Sequence, residues 1–171
     1  MHVREAVALT AAAAHRMWSV LLDLDLTSRV KISNLPVDDP IVSLLVDIRP
    51  AVPDYQDNSW IRILDLPTAL AERRFAGDVD VVLEVTDAML PANAGRWRVR
   101  AGAWEHAEVA ASDSEPDLVL DIRELGAAHL GSISLATLAQ AGFVEVRTPE
   151  ALRAASVAWS WPVAAGANWI F

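Results

Sequence analysis

Apolar side chains fall near helical spacing from the start of the chain, with Val7, Ala14, Trp18 and Leu21 recurring on one face. The spacing predicts a long amphipathic helix over residues 3–24, broken by the polar stretch from Asp23 to Thr27. Arg29, Val30, Lys31 and Ile32 alternate polar and apolar as a half-buried strand does, and Pro36 ends that run. Asp38 or Asp39 is placed to cap a short helix, with Pro40 suited to its first turn. Residues 49–58 carry two prolines and several turn formers and read as a loop or crossing segment. Residues 60–64, Trp-Ile-Arg-Ile-Leu, resume as strand, and Asp65 followed by Pro67 signals a helix running to about Phe75.

The pattern then changes character. Residues 79–85, 96–101, 104–110 and 118–120 are β-rich and predict four strands of an antiparallel or mixed sheet. From Ile122 the spacing is helical again, with Gly131 as a stop. A second helix spans 134–141 before Gly142, and Thr148-Pro149-Glu150 opens a last one reaching Trp159. The tail, 161–171, has no assignable structure, yet it is apolar where chain ends are normally polar and frayed. Strands followed by helices make this second part α+β. The part before Asp65 has too few strands to close a sheet.

Composition narrows the function classes. The 171 residues are 53 % hydrophobic with a mean hydropathy of +0.27, high for a soluble domain. No run approaches the roughly 18 uninterrupted apolar residues of a membrane span. The opening alanine block is interrupted by His15 and Arg16, unlike a secretory signal. The apolar surplus is expected to cover a surface buried against other domains or subunits, or to reflect alanine-rich helices. Fourteen basic and 23 acidic residues give a net charge of −9, which repels nucleic acid and anionic membranes and favours cationic partners. The absence of cysteine excludes disulfides and thiolate metal sites and fits a reducing cytoplasm.

Candidate chemistry is sparse. His2, His15, His106 and His129 show no metal-ligand spacing. There is no Gly-x-Ser-x-Gly elbow. The carboxylate pairs Asp23 with Asp25 and Asp78 with Asp80 read as solvated turn residues. Residues 123–128, Arg-Glu-Leu-Gly-Ala-Ala, satisfy the Gln/Arg-x-x-Gly-x-Gly/Ala pattern with which GNAT acetyltransferases hold a pyrophosphate at a helix start. With a single glycine, a closely packed helix is the favoured reading of them. Seven tryptophans accompany one tyrosine, and most are expected in a core or interface. Trp60, Trp169 and Phe171 instead suit the wall of a pocket for a cationic ligand.

Five ordered segments carry a family resemblance: residues 60–70 (WIRILDLPTAL), 78–85 (DVDVVLEV), 116–121 (PDLVLD), 125–131 (LGAAHLG) and the closing Phe171. Upstream, residues 21–25 (LLDLD) and 38–40 (DDP) fit the same order. Together they resemble the enhanced intracellular survival (Eis) acetyltransferases over nearly the whole chain. The resemblance implies an α+β fold in which residues 1–65 are the closing half of a degenerate second GNAT-like domain and 66–171 a sterol-carrier-protein-like domain.

By the same resemblance the acetyl-CoA-binding amino-terminal GNAT domain has no counterpart here. This chain then holds no cofactor itself, acetyl-CoA belongs to the complete enzyme, and Tyr55 does not replace the family's tyrosine acid. The family's base is the free α-carboxylate of the last phenylalanine, which implies a catalytic role for Phe171. An α-carboxylate with a reference pKa near 3.5 is ionised at neutral pH, and apolar surroundings raise its basicity. Trp60 and Trp169 are implied to line the site for a cationic amine, such as an aminoglycoside or a lysine side chain. His129 stands where the family has an aromatic residue. The implied partners are the missing GNAT part and further copies of the chain in a homo-oligomer. A free-standing carrier of lipids or small molecules is the alternative, since the sterol-carrier-like fold suits that role too.

Overall fold

Thr10, in extended backbone, starts the first helix, α1 (Ala11–Leu22), by accepting the Ala13 N–H on its hydroxyl at 3.1 Å. The computed structural model describes residues 1–56 and 59–167. They form two compact units: the chain up to Trp60 together with the tail from Ala164, and Ile61–Val163.

In the first unit α1 begins well after Val3, contrary to the spacing argument. The opening residues form a strand instead, β1 (His2–Val3), paired in parallel with β2 (Lys31–Ile32). The Lys31 and Ser33 N–H groups donate to the Met1 and Val3 carbonyls, and the Met1 ammonium donates to the Arg29 carbonyl. These long-range bonds outweigh the local helical preference of residues 3–10. A short helix, α2 (Ile41–Leu44), follows Pro40, and it is Asp39 whose carboxylate takes the Ile41 N–H at 2.8 Å. Among the described residues of this unit only Ala14, Trp18 and Ile41 are buried apolar side chains.

The second unit is built on a five-stranded sheet of order β5-β4-β3-β6-β7. Asp65 accepts the Thr68 N–H at 3.0 Å and caps α3 (Leu66–Glu72). Then come β3 (Val79–Thr86), a 3-10 turn at Pro91–Asn93, β4 (Gly95–Ala101), β5 (Glu108–Ala111) and β6 (Leu118–Asp121). Helices α4 (Ile122–Ala128) and α5 (Leu135–Gln140), strand β7 (Val144–Val146) and helix α6 (Pro149–Trp159) complete it. The β3–β6 pair is parallel and the other three are antiparallel, so the sheet is mixed.

Alternation along β3 decides which face packs. Val79, Val81, Leu83 and Val85 join a core with Leu66, Leu70, Phe75, Val99, Leu118, Leu125, Leu135 and Trp159. Asp80 and Glu84 point to the other face, where the register sets Asp80 opposite Arg100 and Glu84 opposite Arg96. Arg98 grips Asp80 with two bonds of 2.7 Å, and Arg96 meets Glu84 at 2.9 Å. Hydrogen bonding from Arg98 holds the Asp80 carboxyl below its usual range. One face is thus a core and the other a ladder of ion pairs.

Three further sequence expectations differ from the structure. Residues 60–64 form no strand: Ile63 is buried between a half-buried Arg62 and an exposed Leu64, and side chains rather than a ladder fix the backbone. Arg62 donates to Asp87, and Asn93 bridges by accepting the Leu66 N–H at 2.9 Å and donating to Asp87 at 3.0 Å. The expected strand over 104–110 is mostly a turn, because Trp104 adopts a left-handed backbone (φ 66°), His106 makes only an isolated bridge to Arg74, and pairing with β4 begins at Glu108. A fifth strand, β7, went unseen because its three residues are too few to show a period.

The fold makes two stability predictions, both checked by urea unfolding. Leu83→Ala, in the fully buried centre of β3, is expected to cost about 2–5 kcal/mol. Asn93→Ala leaves the Leu66 N–H without its acceptor in a buried setting and is expected to cost about 1–3 kcal/mol.

Candidate functional site

Of the residues singled out by sequence, Trp60 is 87 % exposed at the end of the first unit, and Tyr55 is exposed in the preceding loop. Trp169 and Phe171 lie outside the described residues, so the structure offers no geometry that joins the three. The tail is described as far as Ala167.

Helix α6 ends at Trp159 with carbonyls that need donors. Residues 73–76 supply two of them. The Ala76 N–H donates to the Ala158 carbonyl at 2.8 Å, and Arg73 Nη2 donates to the Trp159 carbonyl at 3.0 Å. Ser160 meets the Val157 carbonyl with both its N–H and its hydroxyl. The Arg73 guanidinium lies over two rings, 4.7 Å from the Phe75 centroid and 5.5 Å from that of Trp159, while those rings pack edge-to-face at 4.7 Å.

Beyond Ser160, Trp161 packs edge-to-face on Trp104 at 5.4 Å. Gly131 (φ 81°) approaches so closely that a Cβ there would stand 2.7 Å from the Trp161 Cβ and N and 3.0 Å from the Ser160 carbonyl carbon. In the first unit the tail continues with the Ala164 N–H donating to Asp38 Oδ2 at 2.8 Å. Asp38, expected to be a possible helix cap, is therefore used to hold the tail.

Burial lowers the Arg73 guanidinium to about 10. Burial, and then the Arg73 charge, lower the His129 imidazole from its ordinary 6.5. The side-chain atoms Arg73 Nη1, His129 Nδ1 and Trp159 Nε1 are buried and have no hydrogen-bond partner among the described residues. Sequence reasoning did not select Arg73, since one arginine followed by another in a turn carries no pattern. Gly131 was visible only as a helix stop.

The acetyltransferase-like pattern at 123–128 lies within α4. Leu125, Gly126 and Ala128 are buried, Gly126 closely approaches the Ile61 carbonyl, and Arg123 turns back to Asp121 at 2.9 Å. This is the packed-helix reading of those residues. A groove of about 370 Å³ beside β3–β5 is lined by Asp80, Arg100, Glu105, His106 and Glu108 among others, a charged lining poorly suited to a sterol. Among the described residues no His, Asp and Glu cluster could hold a metal ion, and no helix is long and apolar enough to cross a membrane.

Comparisons with known proteins agree with the fold. Residues 66–165 match the family model of the sterol carrier protein domain, and residues 1–63 match that of an acetyltransferase (GNAT) domain. An uncharacterized N-acetyltransferase of Streptomyces coelicolor is 41 % identical over 91 % of this chain. The N-acetyltransferase Eis of Mycobacterium tuberculosis is 33 % identical over 92 % of it. The chain spans 38 % of the length of each of these relatives. The crystal structure of Eis1 from Mycobacterium abscessus superposes with a TM-score of 0.84 at 33 % identity, covering 99 % of this chain and 43 % of that one. A GCN5-related N-acetyltransferase from Kribbella flavida gives 0.69 at 28 % identity, covering 95 % and 42 %. The chain belongs to the sterol carrier protein domain family, in the form found in N-acetyltransferases of the Eis type.

The buried groups predict how stability follows pH. The fold favours neutral His129, so the unfolded chain binds the extra proton, and stability falls as pH drops below 6.5. Burial works against ionisation of Asp87, but hydrogen bonds from Asn93, the Leu90 N–H, Arg62 and the Met89 N–H outweigh it and hold this carboxyl far below its ordinary 3.8. Its contribution is present above 3.8 and lost below that value. Urea midpoints measured across pH are expected to show two acid limbs, and His129→Gln should remove only the upper one.

Proposed function

We propose that this chain is the carboxy-terminal part of an Eis-like N-acetyltransferase that moves an acetyl group from acetyl-CoA to amines such as those of aminoglycosides or lysine. It works in the cytoplasm as part of a homo-oligomer and is inactive without the acetyl-CoA-binding GNAT part. Residues 1–65 are the closing half of a degenerate GNAT-like domain, and 66–171 are the sterol-carrier-like domain.

The observation that carries this reading is the bare apolar surface of the first unit. Leu9 is 93 %, Leu26 105 % and Val46 107 % exposed, and Val52 and Trp60 are nearly as open. Three buried apolar residues among the described ones do not make a core, and exposed apolar surface on this scale marks an interface. The match of residues 1–63 to an acetyltransferase (GNAT) domain supports the remainder of an acetyltransferase as what covers it.

In the complete enzyme the terminal carboxylate of Phe171 accepts the proton that the substrate amine loses. As nitrogen bonds to the acetyl carbon, the amine proton passes to the carboxylate, and the thioester C–S bond breaks with its electron pair leaving on the CoA thiolate. Trp60 and Trp169 offer aromatic faces to the cationic substrate, which the net charge of −9 also favours. A free-standing lipid carrier has less support, because the second unit is filled by its own side chains from Phe75 to Trp159.

The base is tested by adding one residue after Phe171, which converts the carboxylate to an amide and moves the charge. In the assembled enzyme this is expected to lower kcat about 10²–10⁴-fold, the usual worth of a general base. Unchanged activity would remove Phe171 from the mechanism.

A further inference from the structure

Most arginines of the second unit are answered by an acid: seven of them pair with a carboxylate. Arg73 is the half-buried exception, with no ion pair among the described residues. Burial holds its pKa down to about 10, and no acidic neighbour pulls it back up. A guanidinium taken out of water without a counter-charge is a costly arrangement.

Its hydrogen bonds leave one arm over. Nη2 donates to the Trp159 carbonyl at 3.0 Å and Nε to the Arg74 carbonyl at 3.3 Å, whereas Nη1 is buried and unpartnered. Two more nitrogens of the same region share that condition. Trp159 Nε1 belongs to a side chain with no exposed surface, and its ring centroid lies 5.5 Å from Arg73 Cζ. His129 Nδ1 is brought there by the end of α4: its imidazole feels the Arg73 charge, and Gly131, two residues on, abuts Ser160, the residue after Trp159.

The chemistry of these atoms decides what they can hold. Guanidinium and indole N–H groups only donate, and neutral His129 joins them as the Nδ1–H tautomer. A water molecule would accept such bonds but needs acceptors for its own protons, and these three atoms offer none. An acceptor without protons fits, and one uncompensated positive charge calls for one negative charge. The rings of Phe75 and Trp159 on the flank of Arg73 favour a small, weakly hydrated ion over a phosphate.

We propose that Arg73 Nη1, Trp159 Nε1 and His129 Nδ1 form a binding site for a small monovalent anion of the chloride class. Arg73 supplies the charge, and the indole and imidazole N–H groups supply the remaining donors. Arg73 and His129 are each partly exposed, which gives the ion a route from solvent, while fully buried Trp159 closes the inner side. Once bound, the ion ties together the segment after α3, the end of α4 and the end of α6. The site lies wholly within the second unit and does not depend on the chain's being part of an acetyltransferase.

The test is urea unfolding of the full chain in sodium chloride, with bulky gluconate replacing chloride at constant ionic strength. An ion that binds only the folded state raises the folding constant roughly tenfold for each tenfold rise in its concentration above the Kd. The wild type is expected to follow that saturation law, and Arg73→Met, which keeps the apolar stem against both rings, is expected to show no dependence on chloride. If Arg73→Met does not fold, the wild type still decides the matter by chloride NMR, where the protein is expected to broaden the signal and bromide to reverse the broadening. A third series in acetate separates a halide from a carboxylate. A folding constant indifferent to chloride, with no broadening of the chloride signal, would overturn the site. Equal chloride dependence in the wild type and Arg73→Met would overturn the assignment to these residues, and a response to acetate alone would overturn the halide.

Discussion

The end of α6 sets the terms for the second unit. A helix that finishes inside a core brings carbonyls with it that water cannot reach, and each needs a donor. Residues 73–76 supply donors to the Ala158 and Trp159 carbonyls, and that requirement draws the stretch between α3 and β3 against the helix. Phe75 then packs edge-to-face on Trp159, and the Arg73 charge is covered by both rings instead of a carboxylate. The neighbouring turn at 102–106 is fixed by the same segment, since the Phe75 carbonyl and N–H bond to Trp104 and Glu105.

Much of this second unit was legible in the sequence. The alternation of β3, the Asp65-Pro67 start of α3 and the Thr148-Pro149 start of α6 are local signals with local causes, and each sits close to where the pattern placed it. The α+β class followed from them. What the sequence hid depends on contacts made at a distance. Residues 60–64 look like a strand but are held by Asp87 and Asn93, more than twenty residues away. The opening residues pair with Lys31–Ile32 rather than extending α1. The Arg73 contact to Trp159 at the end of α6 and the Asp38 contact to Ala164 in the tail span 86 and 126 residues, beyond the reach of any periodicity argument.

The two units divide the functional argument. The sterol-carrier-like unit has a complete core and a charged outer sheet face, as a domain that folds by itself does. Among its described residues the first unit has two helices, a two-stranded sheet and three buried apolar side chains, with leucines and valines open on its surface. Membership in the sterol carrier protein domain family and likeness to Eis-type acetyltransferases supply a reason for both. Under the proposed function, the first unit is a surface for the rest of an acetyltransferase.

That account is tested most directly by measuring acetyl transfer from acetyl-CoA to an aminoglycoside with this chain alone, and again after it is combined with an amino-terminal GNAT part of an Eis-type relative. The account predicts no transfer above background from the chain alone and transfer in the combined sample. Turnover by the isolated chain, or none in a combined sample whose two parts demonstrably associate, would contradict it.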